Sequence, residues 1–173
     1  MTENACKMEI ELLEKRQSGQ FDVEIIGSPV LCLEAIGDAN LAPFTATARI
    51  TNRGAEKVTV HYRRGVSSAF QSVSYWPSDR PDKAIAFNEC CGDTQSGSNE
   101  QKSLAQGEAL LISSWTRHHN GIWSQMLPAL NAQPLGLPRD YIVRFSLSIT
   151  YDAKPKPVTL VEDFEVMFRA VPN

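Results

Sequence analysis

No long apolar run occurs in this chain, and Met1 to Gln20 has no apolar stretch behind a basic start. Neither a membrane-spanning helix nor a secretory or lipid-anchor signal is read from these residues. No membrane partner is expected. If the chain is native and full-length, the expectation is a cytoplasmic protein. Charge of one sign is lacking too: 17 Lys+Arg stand against 20 Asp+Glu, a formal −3. No global field would gather phosphate backbones, so nucleic acid is not an expected partner. The GxSxG elbow, the phosphate-binding glycine loop and the dinucleotide fingerprint are all missing, as are internal repeats and low-complexity segments. The familiar enzyme classes therefore have no motif here, and the expectation is a non-enzyme without a cofactor.

Cysteine is sparse. Cys6, Cys32, Cys90 and Cys91 are read as free thiols in a reducing compartment. A disulfide between the adjacent Cys90 and Cys91 would need a distorted linking peptide. At 173 residues, with 42% apolar and 21% charged residues, the chain has the profile of one globular domain large enough to bury a core.

What is present is alternation. Phe44, Ala46, Ala48 and Ile50 point one way while Thr45, Thr47, Arg49 and Thr51 point the other. After Asn52-Arg53-Gly54-Ala55-Glu56 the pattern resumes, with Val58, Val60 and Tyr62 facing a core and Lys57, Thr59, His61 and Arg63 facing solvent. Two such runs around a Gly and an Asn read as a β-hairpin. Further strands are expected at Met8 to Leu13, Phe21 to Ile26, Val30 to Ile36, and Ala109 to Trp115. The run Ala109-Leu110-Leu111-Ile112 suggests burial on both faces near the centre of a sheet. Tyr141 to Tyr151 and Val158 to Arg169 form a terminal hairpin around a polar, proline-containing turn. Two stretches read as irregular insertions, 65–106 and 116–140. The first would hold one or two short strands, and Ile122, Trp123, Met126, Leu127 and Leu130 place a short amphipathic helix in the second. About seven alternating strands specify an all-β, antiparallel two-sheet β-sandwich with long loop insertions and a short helix.

Ala48-Arg49-Ile50-Thr51-Asn52-Arg53-Gly54, Leu104-Ala105-Gln106-Gly107-Glu108 leading to Trp115, and Asp140-Tyr141-Ile142-Val143 cover about a third of the chain. In these segments it resembles immunoglobulin-like sandwiches used as small interaction domains, and more narrowly the BsuPI-type intracellular proteinase inhibitors. That resemblance implies a sandwich fold and, loosely, inhibition of another protein. The 65–106 stretch, Cys90-Cys91 and His118-His119 depart from it, and no inhibitory residue carries over.

Three functional readings fit these residues. Tyr75, Trp76, Arg117, Ile122, Trp123 and Met126 are candidate partner-binding residues, because aromatics and Met in irregular segments anchor interfaces when exposed; the alternative is that they cap the sandwich core. The partner would be another protein or a second copy. Cys90, Cys91, His118 and His119 have the chemistry of a zinc or copper site, although adjacent pairs lack the usual clamp spacing. Self-association through an exposed sheet edge, as in structural proteins, is the third. His61, with Arg49, Arg63 and Arg64, could form a basic strip or a plain solvent face.

Overall fold

The computed structural model describes residues 7–32, 46–65, 67–86, 97–114 and 139–171. Among them run eleven strands: β1 (Glu11–Ser18), β2 (Phe21–Gly27), β3 (Val30–Cys32), β4 (Ala46–Asn52), β5 (Val58–Arg64), β6 (Phe70–Pro77), β7 (Ile85–Ala86), β8 (Ser98–Leu104), β9 (Ala109–Ser113), β10 (Arg139–Tyr151) and β11 (Val158–Val171). A single 3-10 turn, Pro81–Lys83, is the one helical element among the described residues. The first sheet has the order β1-β2-β4-β9; the second runs β3-β11-β10-β5-β8, with β6 pairing β10 and β7. Among the described strands every pairing is antiparallel except β3 with β11. The all-β two-sheet sandwich implied by the alternation is what the chain forms.

Period-two alternation gives each sheet one apolar face, and the two faces meet. Phe21, Val23, Ile25, Ala48, Ile50, Leu110 and Ile112 come from the first sheet. From the second come Val60, Phe70, Val143, Phe145, Leu147, Phe164 and Phe168. Phe21 meets Tyr151 edge-on across the gap, ring centroids 5.0 Å apart, while Phe70 stacks on Phe145 at 5.2 Å. Each fully buried aromatic of this kind supplies about 2–3 kcal/mol of transfer free energy. The β10–β11 hairpin, in register from Arg139↔Ala170 to Tyr151↔Val158, is its longest ladder.

The run around Asn52 is not a hairpin. β4 pairs with β2 and β9, whereas β5 pairs with β8 and β10, so the chain crosses from one sheet to the other between them. Alternation fixes which way side chains face, not which strand lies alongside, and both topologies satisfy it. Asn52 is the corner post. It lies on the inward phase of β4 and is 0% exposed. Its Nδ2 donates to the carbonyls of Glu56 (2.9 Å) and Leu104 (3.0 Å), and its Oδ1 accepts from the Gly54 N–H (2.9 Å) and Gln20 Nε2 (3.1 Å). Its own N–H donates to Glu108 O and its carbonyl accepts from the Gly107 N–H. Every polar group of this buried amide is matched, which offsets its desolvation.

Three further expectations are corrected. The 65–106 stretch holds more strand than the one or two short strands expected: β6 and β8 within it are full sheet members. β9 is an edge strand with Leu111 53% exposed, not a central one. Near the N-terminus the strand begins at Glu11, and Met8, Ile10 and Leu12 are exposed. The strand from Val30 is described as far as Cys32, and the helix expected at Ile122 to Leu130 lies outside the described residues.

β10 is long enough to serve two partners in turn. β6 pairs with it from Tyr141 to Leu147, β5 only at Thr150 and Tyr151. Between them the chain turns at Gly65 (φ +78°) and Ser67 (φ +58°), held by the Ala69 N–H donating to Arg63 O and the Ser148 N–H to Ala69 O. Sheet two therefore forks, and β5 leans away to carry β8.

Candidate functional site

Among the described strands the fork leaves β8 at the margin of its branch. Its sequence, Ser98-Asn99-Glu100-Gln101-Lys102-Ser103-Leu104, is polar on both faces; only Leu104 reaches the core. It is a strand because β5 templates it residue by residue, from Val58↔Leu104 to Arg64↔Ser98. The Asp152 N–H donates to Thr59 O, so the odd-numbered peptide groups of β5 point to β10 and the even-numbered ones to β8. By the antiparallel rule the even-numbered peptides of β8 bond β5. Those of Asn99, Gln101 and Ser103 point outward, and no described residue bonds them.

Among the described residues, other margins carry local obstructions. On β9, Lys102 Nζ donates to Ala109 O (3.2 Å) and Arg64 Nη2 to Leu111 O (3.4 Å), two carbonyls that face away from β4. On β1, a bulge between Leu12 and Glu14 breaks the register. Arg16 of the same strand reaches the flank of β11, donating to Asp163 O (2.8 Å) and Glu162 Oε2 (2.9 Å), with its guanidinium over the Phe164 ring. β3 and β7 span three and two residues. Bulges, inserted cations and brevity are the devices by which sheet proteins prevent edge pairing. β8 is neither bulged nor interrupted: its register with β5 is unbroken and it contains no Pro, and the charges on its inward phase, Glu100 and Lys102, are of opposite sign.

Beside β8 lies an open polar depression of about 430 Å³, lined by residues of β5, β8 and β10 that include His61, Arg63, Asn99, Gln101 and Thr150. His61 Nε2 lies 2.9 Å from Asp152 Oδ1, and Arg63 Nη1 donates to Asn99 Oδ1 at 3.2 Å. On the inward-phase side, Glu100 Oε2 takes Arg64 Nε at 2.8 Å and the Tyr62 hydroxyl at 3.1 Å. The basic strip divides between the sheets. Arg49 belongs to the first, where its hydrogen bond to Glu24 (2.6 Å) holds that carboxyl below its usual range.

Tyr75 is a core residue at 1% exposure, and burial, with Tyr141 beside it, pushes its hydroxyl up to about 12. This corrects its place among the partner-binding candidates: an anchor must be reachable. Trp76 lies on the opposite phase, in a row with Ile142 and Met167 on the outer face of sheet two, but is only 8% exposed, with Arg144 5.4 Å from its ring. Arg117, Ile122, Trp123, Met126, Cys90, Cys91, His118 and His119 lie outside the described residues. Sequence reasoning misses two features. β8 has no apolar period to betray it; Asn52, a polar residue continuing the inward phase of Ala46, Ala48 and Ile50, carries a readable signal.

No protein-family model matches the chain, and no curated protein matches it in sequence. Among solved structures it is similar to AggA, the major subunit of aggregative adherence fimbriae type I from Escherichia coli, at 11% identity and a TM-score of 0.37, over 91% of this chain and 98% of that one.

Proposed function

We propose that this chain is a non-enzymatic protein-binding sandwich that works by strand addition, taking another β-strand alongside β8. The observation that carries the reading is the contrast between margins: β9 is capped at the Ala109 and Leu111 carbonyls, β1 is bulged at Leu12/Glu14 and β11 is plugged at the Asp163 carbonyl, whereas β8 offers outward N–H and C=O groups at Asn99, Gln101 and Ser103 that no described residue bonds. An added strand would satisfy those groups in ladder geometry, which is how strand-addition partners gain affinity. Self-assembly places a copy of the chain there. Antagonism of another protein, the narrower activity implied by the BsuPI-type resemblance, places a foreign strand at the same margin.

Amide hydrogen exchange across a protein concentration series tests this. Protection that rises with concentration at Asn99, Gln101 and Ser103, and nowhere else in sheet two, is the expected result. Association accompanied by new protection only around Trp76 and Met167 would move the interface to that face and sink the reading.

A further inference from the structure

We infer that the strand taken up by β8 is β8 of a second copy, paired antiparallel about a two-fold axis through Gln101. This rests on the strand-addition reading and specifies its partner and register.

Two independent features of the strand agree on this register. The first is backbone parity. The outward peptides are those of Asn99, Gln101 and Ser103, and antiparallel strands exchange hydrogen bonds only between residues that both point outward. A two-fold through Gln101 sets Gln101 against Gln101 of the copy and Asn99 against Ser103, so bonded positions meet bonded positions. A shift by one residue would set them against positions already committed to β5.

The second is the side-chain pattern. The same axis sets Glu100 opposite Lys102 of the copy, and Lys102 opposite Glu100, both as non-bonded pairs, where cross-strand side chains lie closest. Both residues are exposed. On the other face Gln101 meets its own copy and Asn99 meets Ser103, with no like charges in opposition. Within the chain Glu100 takes Arg64 and the Tyr62 hydroxyl, and Lys102 takes the Ala109 carbonyl; because the two flank the axis symmetrically, self-pairing also sets acid opposite base on both sides of it. The pairing would join the two depressions beside β8 across a continuous sheet, in the row Thr150, His61, Gln101 and then Gln101, His61, Thr150 of the copy.

The test is sedimentation of the whole chain across a concentration series, with variants checked for folding by circular dichroism. Wild type should pass from monomer to dimer. Gln101→Pro, whose lost N–H points outward, should stay monomeric and folded. Glu100→Lys and Lys102→Glu each set like charges opposite one another twice, and each should weaken self-association about tenfold or more. Mixed in equal amounts, the two variants should recover as a heterodimer, because the wholly basic pair of the first then faces the wholly acidic pair of the second. Wild type that remains monomeric, a Gln101→Pro dimer as tight as wild type, or a mixture no tighter than its components would each overturn the inference. Exchange data separate the two levels of failure. If β8 amides become protected on association but the mixture does not recover, strand addition stands and this register is wrong; if the chain associates and they never become protected, self-assembly through β8 falls together with the register.

Discussion

Leu104 joins two regions that treat the same chemical groups in opposite ways. Its carbonyl is bound by Asn52 in a corner where every donor and acceptor is matched, while three residues upstream the Gln101 peptide faces outward with no described residue against it. The closed corner holds the sheets together; among the described residues the open margin is held only from one side. The difference shows that polar residues in a sandwich can either lock the fold or leave it extensible, and that what decides is the geometry of the partners rather than residue type. Asn52 and Asn99 are chemically identical.

The strongest way to break the contrast is at the corner. Asn52→Ala strands the Leu104 carbonyl in a buried site and the Glu56 carbonyl and Gly54 N–H in part-buried ones, and should cost about 2 kcal/mol, seen as a fall in melting temperature of roughly 6 °C. Asn52→Asp should do no better, since a carboxylate oxygen would replace the donor facing those two carbonyls. A smaller effect is expected at the inter-sheet tie of Glu162, whose carboxyl is held below its usual range first by the Ser18 hydroxyl (2.7 Å) and then by Arg16. A depressed folded-state value means that its contribution is present above the ordinary carboxylate range and is lost as pH falls through the depressed value. Glu162→Gln should therefore lower stability at neutral pH by no more than about 1 kcal/mol and flatten the acid limb of a stability–pH curve. Least of all, Gln101→Pro should change the stability of the monomer by less than about 0.5 kcal/mol in urea unfolding, although it removes association. Were it instead as destabilising as Asn52→Ala, β8 would be part of the closed framework and the contrast would vanish.

Much of this fold is legible in the residues alone. The faces of Phe21 to Ile25, Ala46 to Ile50, Tyr141 to Tyr151 and Val158 to Arg169 follow from period two, because burial on one side of a pleated strand imposes it. Pairing is not legible: the Asn52 to Lys57 segment serves a hairpin or a crossover with equal economy, and only the four-way hydrogen bonding of Asn52 shows which. Leu110-Leu111-Ile112 reads as central because an edge strand can present an apolar side chain outward, as Leu111 does, without breaking the apolar run. β8 reads as loop because a strand exposed on both faces has no hydrophobic period, its pairing being written in the backbone of β5. Association through a sheet edge is a reading the alternation itself suggests. Which edge is open is not, since the capping of β9 by Lys102 and Arg64 depends on side chains that meet only in the folded chain.

The two-fold through Gln101 has a genetic corollary. A single codon change in Ser98–Leu104 enters the interface twice, so its effect on pairing is doubled while its effect on the fold is counted once. Such a margin can be switched on or off within few mutational steps, and two diverging copies of the gene could part company simply by exchanging the signs at positions 100 and 102.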